Sequence, residues 1–451
     1  MKDKTVFVCQ NCGFRSPKWM GRCQSCGEWN TMIEELEEET PIEISFAPSD
    51  PVLYKDVKDL AKPRIRIEIE DFNKVLGGGL VYGSLVLIGG EPGIGKSTLL
   101  LQVSDSLAGA GESVLYVSGE ESLEQIKLRG DRLGVHDGRL YLLSETNLER
   151  IVSQAERLRP KALVVDSVQT VFSSKMTSSP GTISQVREVA NQIFRFAKKN
   201  QVPAFLVGHI TKEGSLAGPK SLEHMVDVVL LFEGERDHSH RVLRALKNRF
   251  GPVSELAVFE MTASGLQAIV NPSAFFLRER PREEPGSAVV CTIKGTRPLL
   301  AEIQALVSST LFTGNPRRMS IGLDHYRTAM LLALLEKKLG LSFSGEDIYL
   351  NVAGGMTIDE PAADLGVIMA VVSSLKNKPL AKDITFFGEV GLSGEIRSVS
   401  QPLARIREAQ TLGFGTILVP AGNLAALDRE GLPAIRSVGV KTVGQALEYA
   451  F

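Results

Sequence analysis

Short apolar runs alternate with longer stretches in which apolar residues recur every three or four positions over much of the chain. Buried parallel strands produce the first pattern, and helices packed on a sheet produce the second. Residues 60–271 are therefore expected to form an α/β domain whose helices cover a parallel sheet. The apolar runs predict its strands at 84–90, 113–122, 161–167 and 202–214.

A second α/β pattern follows the first. A stretch rich in proline and charge at 272–286 predicts a linker, and the pattern resumes at 287–451. Within this second region the periodicity predicts helices at 325–340 and 363–375, and a hairpin at 382–399. Two α/β domains in one chain suit its length of 451 residues.

The N-terminus has a different character, because four of the five cysteines lie in the first 26 residues as two C-x2-C pairs. Two such turns can direct four thiolates at one tetrahedral Zn²⁺, whereas a pair of disulfides does not suit an intracellular chain. Residues 1–30 are thus expected to form a closed, structural zinc finger with four cysteine ligands. The predicted ligands are Cys9, Cys12, Cys23 and Cys26.

The loop between the two cysteine pairs carries Arg15, Lys18 and Arg22 around Trp19. Cations next to an aromatic ring suit a phosphate backbone and a stacked base. An ordinary solvated face with a buried tryptophan fits the same residues equally well, and the sequence does not separate the two.

Charge and hydropathy exclude several classes of protein. Lys plus Arg (51) nearly balance Asp plus Glu (53), so any nucleic acid must be met by a local basic patch. The acidic residues 31–59 predict a linker after the zinc finger. No apolar run is long enough for a signal peptide or a membrane span, which predicts a cytoplasmic protein without a membrane partner.

The predicted strand 84–90 runs into "GEPGIGKS", which matches G-x-x-x-x-G-K-[ST] between a strand and a helix. Glycines allow backbone N–H groups to wrap phosphates, the lysine reaches the β and γ oxygens, and the serine supplies a Mg²⁺ ligand. The sequence therefore predicts binding of ATP and Mg²⁺. The predicted binding residues are Gly90, Glu91, Pro92, Gly93, Ile94, Gly95, Lys96, Ser97 and Thr98.

Carboxylates follow two neighbouring predicted strands. Asp166 ends the strand at 161–167 and is expected to hold Mg²⁺, while Glu120 is expected to orient the attacking water, with Glu121 as the second choice. The alternative is that these acids only satisfy helix N-termini. A further strand brings His209 and Thr211 to the same edge, where His209 senses the γ-phosphate or simply ends the strand.

These motifs, together with "CQNCGFRSPKWMGRCQSCGEWN", "YVSGEES", "GHITKEG" and "KNRFG", resemble the bacterial RadA (Sms) family of recombination and DNA-repair ATPases over essentially the full chain. One departure is Tyr82, where the family has proline. The resemblance implies a RecA-like P-loop core and a hexameric ring. It also implies ATP-driven movement on single-stranded and branched DNA, in concert with a recombinase such as RecA.

The "KNRFG" box contains Lys247 and Arg249, which on a strand would point to the same side. One P-loop already has Lys96 and Mg²⁺, so this cation pair is expected to act on the nucleotide of a neighbouring subunit. Arg249 would be an arginine finger and Lys247 a second, weaker charge. A surface pair at a strand end, or a DNA contact, remains the alternative.

Two polar stretches, 173–185 and 212–221, are rich in glycine and serine and are expected not to pack. In RecA-like rings such loops lie along the DNA, which makes Lys175, Lys212 and Lys220 the expected phosphate contacts. Mobile surface loops with incidental lysines are the alternative.

The region 287–451 resembles the Lon protease domain, whose nucleophile is serine and whose base is lysine. Alignment places Asp364 and Ala404 at those two positions, so the catalytic dyad is missing. A ring-forming scaffold is the expected role. The alternatives are an ATP-dependent Lon-like protease and a RecA-like signalling ATPase that binds no DNA.

Overall fold

The computed structural model describes residues 5–9, 14–36, 53, 63–135, 138–209, 222–234, 240–253, 255–281, 283–310, 316–427 and 434–451. The chain divides into two compact units, Met1–Ala268 and Ile269–Phe451. None of the helices in the described part combines the length and the apolar character needed to cross a membrane.

The first unit begins with a small antiparallel sheet in the order β2-β1-β3, formed by β1 (Thr5–Cys9), β2 (Arg15–Ser16) and β3 (Met32–Leu36). Strand β3 pairs with β1 over its whole length. This sheet therefore extends beyond residue 30, where the sequence places the end of the zinc finger. Strand pairing is the reason, since β3 supplies the edge that β1 needs.

A nine-stranded sheet forms the body of the first unit, in the order β12-β11-β10-β9-β4-β8-β7-β5-β6. Strands β4 to β9 run parallel, and β10 to β12 add an antiparallel meander. The strands are β4 (Leu85–Gly90), β5 (Val114–Ser118), β6 (Leu140–Ser144), β7 (Ala162–Asp166), β8 (Ala204–His209), β9 (Val228–Glu233), β10 (His240–Asn248), β11 (Leu256–Thr262) and β12 (Gly265–Ala268). The four strands that the sequence predicts correspond to β4, β5, β7 and β8.

Helices cover both faces of this sheet. Along β4, Val86 and Ile88 belong to one buried cluster, and Leu85 and Leu87 belong to another, as expected for a strand buried on both faces. The first cluster contains residues of α1, α2 and α3, and the second contains residues of α4 and α5. The helices are α1 (Glu70–Val75), α2 (Lys96–Gly109), α3 (Leu123–Leu133), α4 (Leu148–Leu158) and α5 (Ile183–Asn200).

The second unit contains a seven-stranded mixed sheet in the order β15-β16-β14-β13-β17-β20-β21 and a two-stranded hairpin of β18 and β19. Its strands are β13 (Ser287–Lys294), β14 (Arg297–Ser309), β15 (Arg318–Ile321), β16 (Glu346–Val352), β17 (Ile384–Phe386), β18 (Glu389–Val390), β19 (Ile396–Arg397), β20 (Thr416–Pro420) and β21 (Arg436–Val440). Its helices are α6 (Pro272–Leu277), α7 (His325–Leu339), α8 (Asp364–Leu375), α9 (Pro402–Thr411), α10 (Ala421–Leu427) and α11 (Val443–Ala450).

Two sequence-based expectations for this unit need adjustment. The stretch expected to be a linker, 272–286, starts with α6, because Pro272 occupies the first turn of a helix that Asn271 caps. Of the expected hairpin at 382–399, β17 belongs to the large sheet, and only β18 and β19 pair as a hairpin. The two helices expected at 325–340 and 363–375 are α7 and α8.

Candidate active site

The phosphate-binding loop connects β4 to α2. A Cβ on Gly90 would lie 2.6 Å from the carbonyl oxygen of Phe232 on β9, so only glycine lets the strands approach here. Gly95 has φ 114° and is the N-cap of α2, a conformation that favours glycine. No side chain caps the N-terminus of α2, so its first backbone N–H groups face the loop. Backbone N–H groups at a helix N-terminus bind phosphate.

Lys96 opens α2 and is only 4% exposed. Its Nζ donates hydrogen bonds to the carbonyl oxygens of Gly90 (2.7 Å) and Glu91 (2.8 Å). Burial lowers the pKa of Lys96 to about 8, although the carboxylates of Asp166, Glu120 and Glu91 oppose this shift. The ammonium therefore lies inside the loop, within the field of the two acids that the sequence assigns to the site.

The carboxyl ends of β5 and β7 bring these acids together, since Ser118 pairs with Asp166 in the parallel register. Asp166 is buried, and its Oδ2 accepts a hydrogen bond from the hydroxyl of Tyr116 at 2.6 Å. Burial and this carboxylate raise the pKa of Tyr116 well above its usual value, so the phenol remains a donor. Tyr116 therefore fixes the orientation of Asp166.

The two adjacent glutamates have different surroundings. The Oε1 of Glu120 accepts a hydrogen bond from the Ser167 hydroxyl at 2.5 Å, and the charge of Glu120 acts on Lys96. Glu121 forms an ion pair with Arg129 on α3. The geometry thus turns Glu120 toward the phosphate-binding loop and holds Glu121 against α3.

A further strand end reaches this edge. His209 ends β8 and lies opposite Gly90 in the parallel register, so its backbone adjoins the first residue of the loop. Its side chain is outside the described residues, as are Thr211, Lys212 and Lys220.

Lys247 lies near the end of β10, and Arg249 directly follows that strand. Lys247 donates to the carbonyl oxygens of Glu223 and Val226 (2.9 Å for Val226), and burial followed by the charge of Arg249 lowers the pKa of Lys247. Arg249 is 53% exposed at its side chain and forms a 3.4 Å ion pair with the buried Asp227. Both cations therefore contact the segment 223–227 that precedes β9.

Asp227 shows where this cation pair lies relative to the loop. It also accepts hydrogen bonds from the backbone N–H of Leu85 (3.0 Å) and from Lys198 (2.9 Å). Leu85 begins β4 and Gly90 ends it, and their separation of five steps of about 3.3 Å is roughly 17 Å. Arg249 is therefore at the opposite end of β4 from the phosphate-binding loop of its own chain.

Strand β10 connects these two ends of the sheet. Near its start, the buried Arg241 donates from Nε to the carbonyl oxygen of Ile94 in the loop, at 3.2 Å. Near its end, the register with β9 shifts between Ala245 and Lys247, which makes a bulge at Leu246. The strand thus contacts the loop at one end and carries the cation pair at the other.

Four residues of the site escaped the sequence reasoning: Tyr116, Ser167, Asp227 and Arg241. Ser167 directly follows Asp166, which is a signal that the sequence offers. The other three lie inside apolar strands or at their starts, where only the folded register shows what they contact.

The polar stretch 173–185 is anchored by side-chain hydrogen bonds, although Ser174, Lys175, Thr177 and residues 179–181 are exposed. The buried amide of Gln185 bonds the N–H of Ser173 (2.9 Å) and the carbonyl oxygens of Ser173 and Ser178. Glu149 accepts hydrogen bonds from the Ser173 hydroxyl (2.5 Å) and from Ser174. Side-chain hydrogen bonds replace the missing apolar contacts, and Lys175 remains exposed at this anchored loop.

The thiolates of the N-terminal ribbon converge. The sulfur atoms of Cys9, Cys23 and Cys26 lie within 4.8 Å of one another, and those of Cys9 and Cys26 are 3.7 Å apart. Tetrahedral Zn–S bonds of ~2.3 Å require sulfur atoms about 3.8 Å apart, so the donor set fits zinc. Cys12, the fourth expected ligand, lies outside the described residues.

In the second unit, Asp364 is not placed as a nucleophile. It is buried at the start of α8, where it pairs with Arg327 and accepts a hydrogen bond from the N–H of Val390 at 3.0 Å. Ala404 lies on α9 and has no basic group. The carboxylate at this position therefore ties α7 and β18 to α8.

A phosphate-binding loop that opens a helix, beside strand ends bearing Asp166 and Glu120, defines a P-loop ATPase, here with an N-terminal zinc ribbon. Family models agree: residues 7–34 match "Rubredoxin metal binding domain", 50–215 match "AAA domain", and 327–423 match "Subunit ChlI of Mg-chelatase". The expected fold class is confirmed: a zinc ribbon, a RecA-like core and a Lon-protease-like α/β domain.

Full-length relatives narrow the class to one family. The chain is 50% identical to DNA repair protein RadA of Bacillus subtilis (strain 168) over 453 residues, covering 99% of this chain and 98% of the relative. It is 50% identical to DNA repair protein RadA of Streptococcus pyogenes serotype M1 over 455 residues, covering 100% of this chain and 99% of the relative. It is 48% identical to DNA repair protein RadA of Listeria monocytogenes serovar 1/2a (strain ATCC BAA-679 / EGD-e) over 457 residues, covering 100% of this chain and 98% of the relative. The chain belongs to the RadA family.

Proposed function

We propose that this protein is a DNA-dependent ATPase that assembles into a homo-hexameric ring, moves on single-stranded DNA and processes branched intermediates of recombinational repair. The observation that carries the proposal is the position of Lys247 and Arg249 at the opposite end of β4 from the phosphate-binding loop of the same chain. Cations in that position serve ATP hydrolysis only if another subunit supplies the nucleotide.

Hydrolysis at each loop follows from the residues around it. Lys96 would leave the carbonyl oxygens of Gly90 and Glu91 to neutralise the β and γ phosphates. Ser97 and Asp166 offer the oxygen ligands that Mg²⁺ prefers, and bound Mg²⁺ neutralises charge on the phosphate oxygens. Glu120 would orient the attacking water, because Glu121 is engaged by Arg129.

Arg249 suits an arginine finger. Its side chain is half-exposed, and its 3.4 Å contact with Asp227 restrains the guanidinium without burying it. Lys247 is held more firmly, because its Nζ donates to two carbonyl oxygens of the segment before β9. It would add a second positive charge next to Arg249. Fingers that stabilise charge on the transferred phosphoryl group raise rates by ~10³–10⁵.

The relatives' name, DNA repair protein RadA, supports DNA as the ligand. A RecA-type recombinase is the partner that we propose for it. The exposed Lys175 lies on a loop that Gln185 and Glu149 anchor, which suits a fixed phosphate contact. For the second unit we propose a platform that holds the subunits in register, without peptidase activity, because Asp364 is committed to Arg327 and Ala404 supplies no base.

Subunit mixing tests the proposal. Lys96→Ala and Arg249→Ala proteins are each expected to lose nearly all ATP hydrolysis stimulated by single-stranded DNA. In mixed rings, some intact loops face an intact Arg249, so stimulated hydrolysis partly recovers. Turnover is measured by phosphate release, after subunit exchange has been demonstrated by energy transfer between labelled chains.

Arg244→Ala is the matched control, since Arg244 is an exposed arginine on the same strand and pairs with Glu233 on the surface. Arg244→Ala is expected to keep wild-type ATP turnover, and mixing it with Lys96→Ala is expected to show the same turnover as mixing the unmodified protein with Lys96→Ala. Rings that exchange subunits without any recovery would show that Arg249 serves its own chain. Hydrolysis that single-stranded DNA does not stimulate would remove DNA from the proposal.

A further inference from the structure

The zinc ribbon exposes two large aromatic side chains side by side. Trp19 is 57% exposed and Trp29 is 67% exposed. If Gly21 carried a Cβ, that atom would lie 3.6 Å from Cη2 of Trp19 and 3.7 Å from Cζ3 of Trp29. Both indoles thus flank one point on the surface. A buried tryptophan, one of the two alternatives that the sequence allows, is not what the structure contains.

Backbone bonds hold the two indoles in this arrangement. The N–H of Asn30 donates to the carbonyl oxygen of Gly21 at 2.7 Å, and Arg22 and Trp29 form an antiparallel bridge. Buried Ser16 fixes the turn before Trp19 through hydrogen bonds with the backbone of Lys18 at 2.7 and 3.2 Å. The arrangement follows from the hairpin that also carries Cys23 and Cys26, so zinc and the indoles share one support.

One cation of the ribbon lies directly at an indole. Arg22 donates to the carbonyl oxygen of Gly27 at 2.8 Å, and its guanidinium lies 5.8 Å from the ring centroid of Trp29. Residues 14–30 contain three basic residues (Arg15, Lys18 and Arg22) and one acidic residue (Glu28). Four thiolates around Zn²⁺ would contribute −2 to the same ribbon, so these groups together sum to zero. The cations therefore act through their positions, as Arg22 does beside Trp29, and not through a net charge of the ribbon.

We propose that Trp19 and Trp29 form a tryptophan platform on which the bases of single-stranded nucleic acid stack, while Arg15, Lys18 and Arg22 contact its phosphates. Open π faces next to cations are the recurring means of binding single strands without sequence preference. The platform adds a DNA contact outside the ATPase sheet. The choice of DNA as the strand rests on the proposed function.

The chain offers a direct test, because it contains only two tryptophans. Tryptophan fluorescence of the full-length protein, excited where tyrosine does not absorb, reports on these two side chains alone. Titration with oligothymidylate is expected to quench it. Trp19→Phe leaves Trp29 as the single reporter, and Trp29→Phe leaves Trp19, so each indole is observed separately.

Affinity for oligothymidylate, measured by anisotropy of a labelled oligonucleotide, is expected to fall about 5- to 150-fold for Trp19→Ala and for Trp29→Ala, given the usual strength of base stacking. The phenylalanine variants retain a ring and are expected to lose less. Ile33→Ala is the matched control, since Ile33 is an exposed aliphatic side chain on β3 of the same ribbon. Zinc content checks that each variant keeps its ribbon.

The outcomes are distinct. ATP hydrolysis stimulated by oligothymidylate, without quenching at saturating DNA, overturns the platform and leaves the proposed function standing. Neither stimulation nor quenching overturns both. Quenching by oligouridylate but not by oligothymidylate overturns DNA as the ligand. Affinity that is unchanged in both alanine variants also overturns the platform.

Discussion

Lys96 shows how a single side chain is prepared for its ligand. Its aliphatic stem and ammonium are buried in the loop, and the resulting loss of hydration favours the neutral amine. The nearby carboxylates of Asp166, Glu120 and Glu91 compensate only in part, so the pKa stays at about 8. Phosphate oxygens would compensate much more strongly. Binding of ATP is therefore linked to protonation of this residue.

At pH 8.5 about three-quarters of Lys96 is neutral in the free protein, given its pKa of about 8. A bound triphosphate raises that pKa, so binding of a non-hydrolysable ATP analogue is expected to take up roughly 0.7 proton per site. The uptake disappears below pH 7, where the free lysine is already charged. Calorimetry in two buffers of different ionisation enthalpy measures it.

Lys96→Arg is the control for this linkage, because arginine stays charged throughout the range. It is expected to bind the analogue, with altered affinity, and to take up no proton from this position. Equal proton uptake by the wild type and by this variant would exclude Lys96 as the source.

Among the structural elements, an ion pair between Arg327 and Asp364 joins α7 to α8. The carboxylate of Asp364 at the start of α8 receives Arg327 from α7 and the N–H of Val390 from β18. Burial raises the pKa of Asp364, whereas the hydrogen bonds and the charge of Arg327 lower it. Loss of Arg327 would leave a buried carboxylate with a higher pKa still.

Arg327→Ala is therefore expected to lower the free energy of opening of α8 by about 2 kcal/mol at pH 8, less than for a fully buried pair because Arg327 is partly exposed. A raised pKa in the folded state means that stability is lost as pH rises through it, so the defect shrinks at pH 5. Amide hydrogen exchange of α8 measures the free energy of opening at pH 8 and at pH 5.

In Asp364→Asn/Arg327→Ala, the neutral amide leaves no buried charge, so the pH dependence of the defect should vanish. A defect of equal size at pH 5 and pH 8 in Arg327→Ala alone would mean that packing, and not charge, is what Arg327 contributes.

The sequence predicts elements whose causes are local. The strand, loop and helix around Lys96 follow from "GEPGIGKS" and its flanking periodicity, and the acids follow from the strand ends before Glu120 and Asp166. Elements that depend on distant partners were missed or misjudged. The helix α6 lay in a stretch with the composition of a linker, and β3 forms only because β1 offers it an edge.

The same limit applies to the site. Arg249 meets Asp227 across 22 positions, and Arg241 meets Ile94 across 147 positions, so neither contact leaves a mark in the local sequence. For the loop 173–185, composition records few apolar residues but does not record that Gln185 and Glu149 anchor it by hydrogen bonds.

At the scale of the whole molecule, the chain contains two compact units, and the ATPase machinery described above lies in the first. Under the proposed function, each active site needs two subunits. A chain that ends at Ala268 is expected to keep its fold and nucleotide binding but to assemble less. Its DNA-stimulated turnover then falls toward that of Arg249→Ala, because the same cation is absent from the neighbouring site.

Sedimentation velocity and phosphate release measure these two effects at matched subunit concentrations. The unmodified protein, which retains the second unit, is the reference for assembly. If the shortened chain formed rings as readily as this reference, the platform role of the second unit would be refuted.

Strand β10 places a constraint on how this protein can change over evolutionary time. Inserting one residue between Arg241 and Lys247 would turn Lys247 to the opposite face of the sheet and would move Arg249, which directly follows the strand. Inserting two would restore the facing of Lys247 but displace both cations by about 7 Å. The apolar residues in the middle of the strand can be exchanged for others of similar size. Descendants of this gene are thus expected to vary the composition of β10 while inheriting its length.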